Sequence, residues 1–125
     1  MSDGAVATWT GLDPSEVAVE KARTEAFPRT QFHVLEQPTP DMGKFDIILL
    51  QEMLCYVEDL DGLFNCLKEH LEAGGWIISS MFGHAGDVAI HRALHQHFEE
   101  FDAVQVVRET APKHRWRIAC YRTRA

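Results

Sequence analysis

The chain has 125 residues, enough for one domain with a modest core, and its 46% apolar and 25% charged residues are the ordinary balance of a soluble globular protein. A formal net charge of −7 argues against a nucleic-acid surface. No apolar run approaches the roughly 18 residues of a membrane span, and MSDGAVATW has neither the basic start nor the apolar stretch of a signal peptide, so a cytoplasmic location is expected, with no membrane or nucleic-acid partner.

In chain order, Ala5–Leu12 (AVATWTGL) is strand-like, rich in β-branched residues and closed by Asp13-Pro14. Residues 15–26 read as a helix that Ser15 or Asp13 can cap, with Pro14 suited to the first turn and Ala18, Ala22 and Ala26 forming a small-residue face. Gln31–Leu35 is a short strand, followed by a loop from Glu36 to Lys44. Phe45–Leu50 (FDIILL) is nearly all apolar, which suits a parallel strand covered on both faces. From Asp59 to Leu71, a stripe of Leu60, Leu63, Phe64, Leu67 and Leu71 marks a helix, with Asp59 or Asp61 as its cap. Gly74-Gly75 ends it, and Trp76–Met81 is the next strand. Residues 87–100 predict a helix with Ile90, Leu94 and Phe98 inward, and two closing strands follow, Ala103–Glu109 and Trp116–Thr123. This alternation implies a mostly parallel doubly wound sheet whose last strand runs antiparallel between its neighbours.

Several blocks in this order resemble the class I S-adenosylmethionine-dependent methyltransferases. TGLDPSEVAVEKAR is similar to the family's second strand, ribose-binding acid and following helix, and FHVLEQ to its third strand. KFDIILLQEMLCYVEDLDGLFNCLKEHLEAGGWIISSMF resembles the fourth strand, the E-x-L segment, the next helix and the turn into the fifth strand; HRWRIACYR resembles the last antiparallel strand of small-molecule N-methyltransferases. The resemblance covers about residue 5 to the end. It implies an α/β, Rossmann-like three-layer sandwich, mostly parallel with an antiparallel C-terminal strand, truncated at its N-terminus: one partial domain over residues 1–125. The departure from the family is as informative. Its first strand, glycine-rich loop and following helix have no counterpart, and Gly4 is a single glycine. The Lys-Pro-Gly-Gly turn is altered to Glu72-Ala73-Gly74-Gly75, a minor change because the turn needs the glycines most.

The resemblance assigns cofactor contacts by position. Asp13 matches the acid that accepts both ribose hydroxyls, at the carboxyl end of a strand where such folds bind ligands; alone, the same residue reads as a helix cap. Pro14 matches the residue that packs on the adenine. Glu36 and Gln37 match the adenine-amine position and read equally well as the start of a solvated loop. Gln51 and Glu52 follow the fourth strand, near cofactor and substrate, and Tyr56 is placed over the same pocket. Glu52 is a candidate to take a substrate proton or hold an amine. Methyl transfer is an in-line displacement on a sulfonium in which positioning supplies much of the rate, so no base motif is expected and the catalytic residues are unknown.

The remaining polar groups have plainer readings. His91 and His95 stand at i, i+4 but lack a third ligand, so no metal is expected; His97 reads as a core histidine and His84 as a loop residue. Met53, Leu54 and Met81 read as core. Cys55, Cys66 and Cys120, an odd count without C-x-x-C spacing, read as reduced buried thiols. Residues 108–125 hold six Lys/Arg against one acid, which suits a charged edge hairpin more than an anion site.

Loss of a central strand leaves two strand edges open. The second-strand unit can close on the fourth strand, another copy can supply the pairing, or a missing N-terminal segment can. The expectation is therefore a methyltransferase-like chain acting on a nitrogen or oxygen of a small-molecule substrate, homo-oligomeric or completed by that segment, with S-adenosylmethionine binding weak or lost. The rivals are a non-catalytic remnant serving as a binding or assembly module, and a nicotinamide dehydrogenase, which the E-x-L block and closing hairpin disfavour.

Overall fold

Residues 8–83, 87–110 and 114–124 are described in the structure, a computed structural model of the chain. Two compact units divide it at Thr39/Pro40.

The first unit holds strand β1 (Trp9–Asp13), helix α1 (Glu16–Thr24) and strand β2 (Thr30–Val34), with β1 and β2 parallel in a two-stranded sheet. Ala5–Ala7 of the predicted first strand lie outside the described residues. Ser15 is the N-cap of α1, its hydroxyl accepting from Ala18 N–H at 3.2 Å. The helix ends near Thr24, before the predicted residue 26, because Ala26 enters the left-handed region (φ 51°) and Pro28 disfavours helix at the residue before it. Arg23 Nη2 donates to Phe32 O at 2.7 Å and ties α1 to β2. Gly11 lets the Phe32 ring approach: a Cβ there would stand 2.6 Å from a ring carbon.

In the second unit the chain runs through β3 (Phe45–Gln51), α2 (Leu60–Glu69), β4 (Leu71–Phe82), α3 (Asp87–His97), β5 (Phe98–Val107) and β6 (Arg115–Thr123). Short 3-10 turns cover Pro40–Met42 and Leu54–Tyr56. The four strands order as β3-β4-β6-β5. β3 and β4 are parallel, with Leu49 opposite Ile78, while β6 runs antiparallel between β4 and β5. Three of the four strands thus point one way, as a Rossmann-like sheet with an antiparallel last strand requires.

The core follows the predicted periodicity. Leu63, Phe64 and Leu67 of α2, Ile90 and Leu94 of α3, Leu50 of β3, Ile77 and Met81 of β4, and Ala119 and Tyr121 of β6 are all buried together. Leu54 is buried and Met53 packs against this cluster. Two boundaries differ from expectation. Gly74 and Gly75 do not stop α2, which already ends at Glu69; they lie inside β4, where Gly74 takes φ 76° and a Cβ on Gly75 would meet Asp46 O at 2.9 Å. The helix predicted to residue 100 stops at His97, because Phe98 pairs with Thr123 and is fully buried as the first residue of β5.

His97 is nearly core: it lies edge-on to Phe64 at 5.5 Å, and its Nε2 meets Asp61 Oδ1 at 2.6 Å. His95 turns Nε2 to Glu100 Oε1 at 3.2 Å. The cysteines depart from expectation: Cys55 is exposed, Cys66 and Cys120 are half-buried, and none of the three is in a disulfide. Cys55 follows Leu54 in a tight 3-10 turn whose buried residue is Leu54, so its own side chain points out. His84 lies outside the described residues.

Candidate functional site

Two parallel strands place their carboxyl ends at the same edge, and this is how the first unit gathers its predicted site residues. Asp13 closes β1 opposite Val34, the last residue of β2, and Leu35 N–H donates to Asp13 O at 3.2 Å. Pro14 follows β1, while Glu36 and Gln37 follow β2. All four residues are exposed. Pairing that runs the length of both strands therefore brings Asp13, Pro14, Glu36 and Gln37 to one edge.

The local role of Asp13 is also resolved. Its Oδ1 accepts from Ser15 N–H at 2.8 Å, a tight turn that leads into α1, whereas the cap proper is Ser15. That bond orients the carboxylate, and Oδ2 has no protein partner among the described residues. An oriented, solvent-facing carboxylate oxygen at a strand end is suited to accept a hydroxyl pair. A shallow hollow of about 360 Å³ in this unit is lined by Arg23, Thr30, Gln31, Phe32 and His33. None of the predicted site residues lines it, and we attach no chemistry to it.

In the second unit, Gln51 ends β3 opposite Ser80 and is exposed. Glu52 follows it in the left-handed region, with φ 51°. Three bonds hold it there: its N–H donates to Ser80 O at 2.8 Å, Oε2 accepts from Ser80 Oγ at 2.8 Å, and Oε1 accepts from Phe82 N–H at 2.8 Å. Both carboxylate oxygens are thus occupied in clamping the carboxyl ends of β3 and β4 together. Glu52 therefore acts as a positioning group for the two strand ends, each of its oxygens accepting one bond. The pattern of residues around it carries no sign of this, since both partners lie about thirty positions away in the chain. Tyr56 is 84% exposed.

Among the described residues no three His, Cys, Asp or Glu side chains come together as a metal-holding group. No described helix is long and apolar enough to cross a membrane.

Residues 3–121 match a family model described as a methyltransferase domain. No curated protein matches. Among solved structures, the chain is similar to the N-methyltransferase NodS from Bradyrhizobium japonicum WM9, with 19% identity and a TM-score of 0.76 over 94% of this chain and 74% of that one. NodS in complex with S-adenosyl-L-homocysteine gives 18% identity and a TM-score of 0.75, over 94% of this chain and 67% of that one. A SAM-dependent methyltransferase from Methanosarcina mazei gives 15% and 0.69, over 90% and 80%. Identities this low bear on the fold alone.

Proposed function

The chain belongs to the methyltransferase-domain family, and from that premise we propose that it carries the adenosine half of an S-adenosylmethionine site, in a lineage that methylates a nitrogen or oxygen of a small molecule. The observation that supports this most directly is the shared carboxyl edge of β1 and β2. There Asp13, oriented by Ser15 N–H, stands with Pro14, Glu36 and Gln37 at the ends of two strands in register.

Each residue has a role in holding the cofactor. The Asp13 carboxylate accepts from the ribose hydroxyls, Pro14 packs on the adenine, and Glu36 or Gln37 accepts from its amino group. The cofactor would supply a sulfonium methyl group, and an N–H or O–H acceptor would give up its proton to a base or to solvent as the methyl is transferred. Placement of the acceptor is the protein's main contribution.

Among the described residues no glycine-rich turn follows a strand to cradle the methionine end; the paired glycines, Gly74 and Gly75, lie within β4. Affinity requires converging contacts on a prepared site. We therefore expect S-adenosylmethionine to bind weakly or not at all, with residual affinity directed at adenosine. A second reading, a non-catalytic remnant serving as a binding or assembly module, is favoured by the occupied carboxylate of Glu52, the acid nearest the end of β3.

Calorimetry with S-adenosylmethionine, S-adenosylhomocysteine and adenosine tests the proposal. Dissociation constants near or above the millimolar range are expected, on the order of 4 kcal/mol or less of binding, with adenosine binding lost in Asp13→Ala. Micromolar binding left unchanged by Asp13→Ala would place the site elsewhere.

A further inference from the structure

β5 is the last strand in the order of its sheet, so one of its edges has no strand partner among the described residues. The pairing fixes which backbone groups line that edge. In an antiparallel pair, successive residues turn their N–H and C=O groups alternately toward the partner strand and away from it. Arg108 N–H donates to His114 O at 2.8 Å, so Arg108, Val106 and Val104 turn their groups to β6. Toward β4, Gly83 N–H donates to Arg115 O at 2.8 Å. Arg115 thus bonds away from β5, and Val107 opposite it faces outward. Both observations give the same parity: Ala103, Gln105 and Val107 present their groups to the outer edge.

This edge belongs to a segment suited to pair again. Ala103–Val107 (AVQVV) holds three valines, no charge and no proline, the composition that adds readily to another strand. Charged residues stand at both of its ends, Asp102 before it and Arg108 and Glu109 after it. Asp102 does more than carry charge. Its Oδ1 accepts from Ala103 N–H at 2.8 Å and so occupies the first outward-facing donor of the segment. It also closes the irregularity between Glu100 and Asp102, where Phe101 has no residue opposite it on β6. Such a bulge bends and twists a strand away from the line that a further strand would follow.

We propose that Asp102 is an edge guard: bonded to Ala103 N–H beside the bulge, its carboxylate keeps the AVQVV edge of β5 from adding the same edge of a second copy. An arriving strand must take the Ala103 donor from Asp102 before a ladder can run along the edge. It must also strip water from the carboxylate, which then has no donor in its place, and burying an unpaired charge is costly. The position asks for such an explanation. Asp is among the residues that strands disfavour, yet this one stands inside β5, four residues from its start. No intrinsic preference places it there, whereas blocking an edge does. The inference is independent of any cofactor, since no residue assigned to adenosine lies on β5.

Hydrogen exchange of single amides, followed by NMR, tests the guard. In the wild-type chain Gln105 and Val107 should exchange at least about tenfold faster than Val104 and Val106, whose donors bond to β6. Asp102 is exposed, so Asp102→Ala should keep the fold, which circular dichroism checks. At tens of micromolar, enough to populate a micromolar contact, that variant should slow exchange at Gln105 and Val107 by about tenfold or more. Dilution should restore the fast exchange. Asp102→Asn keeps an oxygen for Ala103 N–H and should behave as the wild type. Adding Gln105→Pro to Asp102→Ala deletes an outward donor without touching the bonds to β6, and should return Val107 to fast exchange. Slow exchange of Gln105 and Val107 in the wild-type chain overturns the proposal, because the edge is then already occupied. So does a folded Asp102→Ala that exchanges like the wild type, an Asp102→Asn that behaves like Asp102→Ala, or slow exchange of Val107 that survives Gln105→Pro.

Discussion

At the scale of single residues, Glu52 shows how a conformation can be imposed from a distance. A left-handed φ on a residue with a Cβ costs about 1–2 kcal/mol, and here three bonds to Ser80 and Phe82 offset it. The two contributions separate by mutation. Glu52→Ala loses both side-chain bonds and keeps the strain, so it should lower stability by about 1–3 kcal/mol. Glu52→Gly loses the same bonds but relieves the backbone, and should be less destabilised than Glu52→Ala by roughly 1 kcal/mol. Urea denaturation of the two variants measures the difference, and equal midpoints would show that the backbone is unstrained. Asp13 is the opposite case. Its bond to Ser15 N–H is two residues long and legible in the sequence as turn chemistry.

Elements are joined by a half-buried polar cluster that no local pattern announces. Glu100 of β5 accepts from Arg117 of β6 at 2.7 Å and meets His95 of α3, while Arg117 Nη1 donates to the hydroxyl of the fully buried Tyr121 at 3.3 Å. Burial raises the Tyr121 phenol above its ordinary value despite Arg117. For Glu100, burial opposes ionisation, but the hydrogen bonds and charges of Arg117 and His95 outweigh it, and the carboxyl is held below its ordinary value. The sign for stability follows. The unfolded form takes up its proton first as pH falls, so this contribution is fully present above the ordinary carboxyl value of 4.5 and is lost as pH drops through the lower folded value. Thermal unfolding followed from pH 6 to pH 3 should show this loss, and Glu100→Gln should remove that part of the pH dependence. An unchanged profile in Glu100→Gln would exclude the cluster as its origin.

At the scale of the whole molecule, the two units differ in how much they bury. Of the buried hydrophobic residues among those described, only Val19 precedes Pro40; the others cluster in the second unit. A two-stranded sheet with one helix and so small a core is marginal by itself. Amides of β1 and β2 should therefore be at least about tenfold less protected from hydrogen exchange than those of β4 and β6. Equal protection would mean that the first unit draws its stability from contacts beyond its own core. The same shortage bears on ligand affinity: the residues assigned to adenosine stand on the less buried unit.

How much was legible beforehand follows from the range of each signal. The period of α2 announced Leu63, Phe64 and Leu67 as core, because apolar spacing is a local record of which face is buried; FDIILL announced a parallel strand but not its covering on both faces, since Ile47 and Leu49 are exposed. The carboxyl edge of Asp13, Pro14, Glu36 and Gln37 was likewise legible, since strand ends and their order are local. Boundaries were less so: Phe98 left its helix because pairing with Thr123 outweighed helical spacing. The described strands form a two-stranded and a four-stranded sheet, an organisation that no local pattern announces. The sequence by itself determined the family and the order of elements, which rest on patterns within a few positions of the chain. Only the tertiary structure decided that Glu52 clamps the ends of β3 and β4 and that Glu100 and Arg117 form a half-buried pair. Each of these depends on groups brought together from distant positions, where the deciding quantities are burial and register.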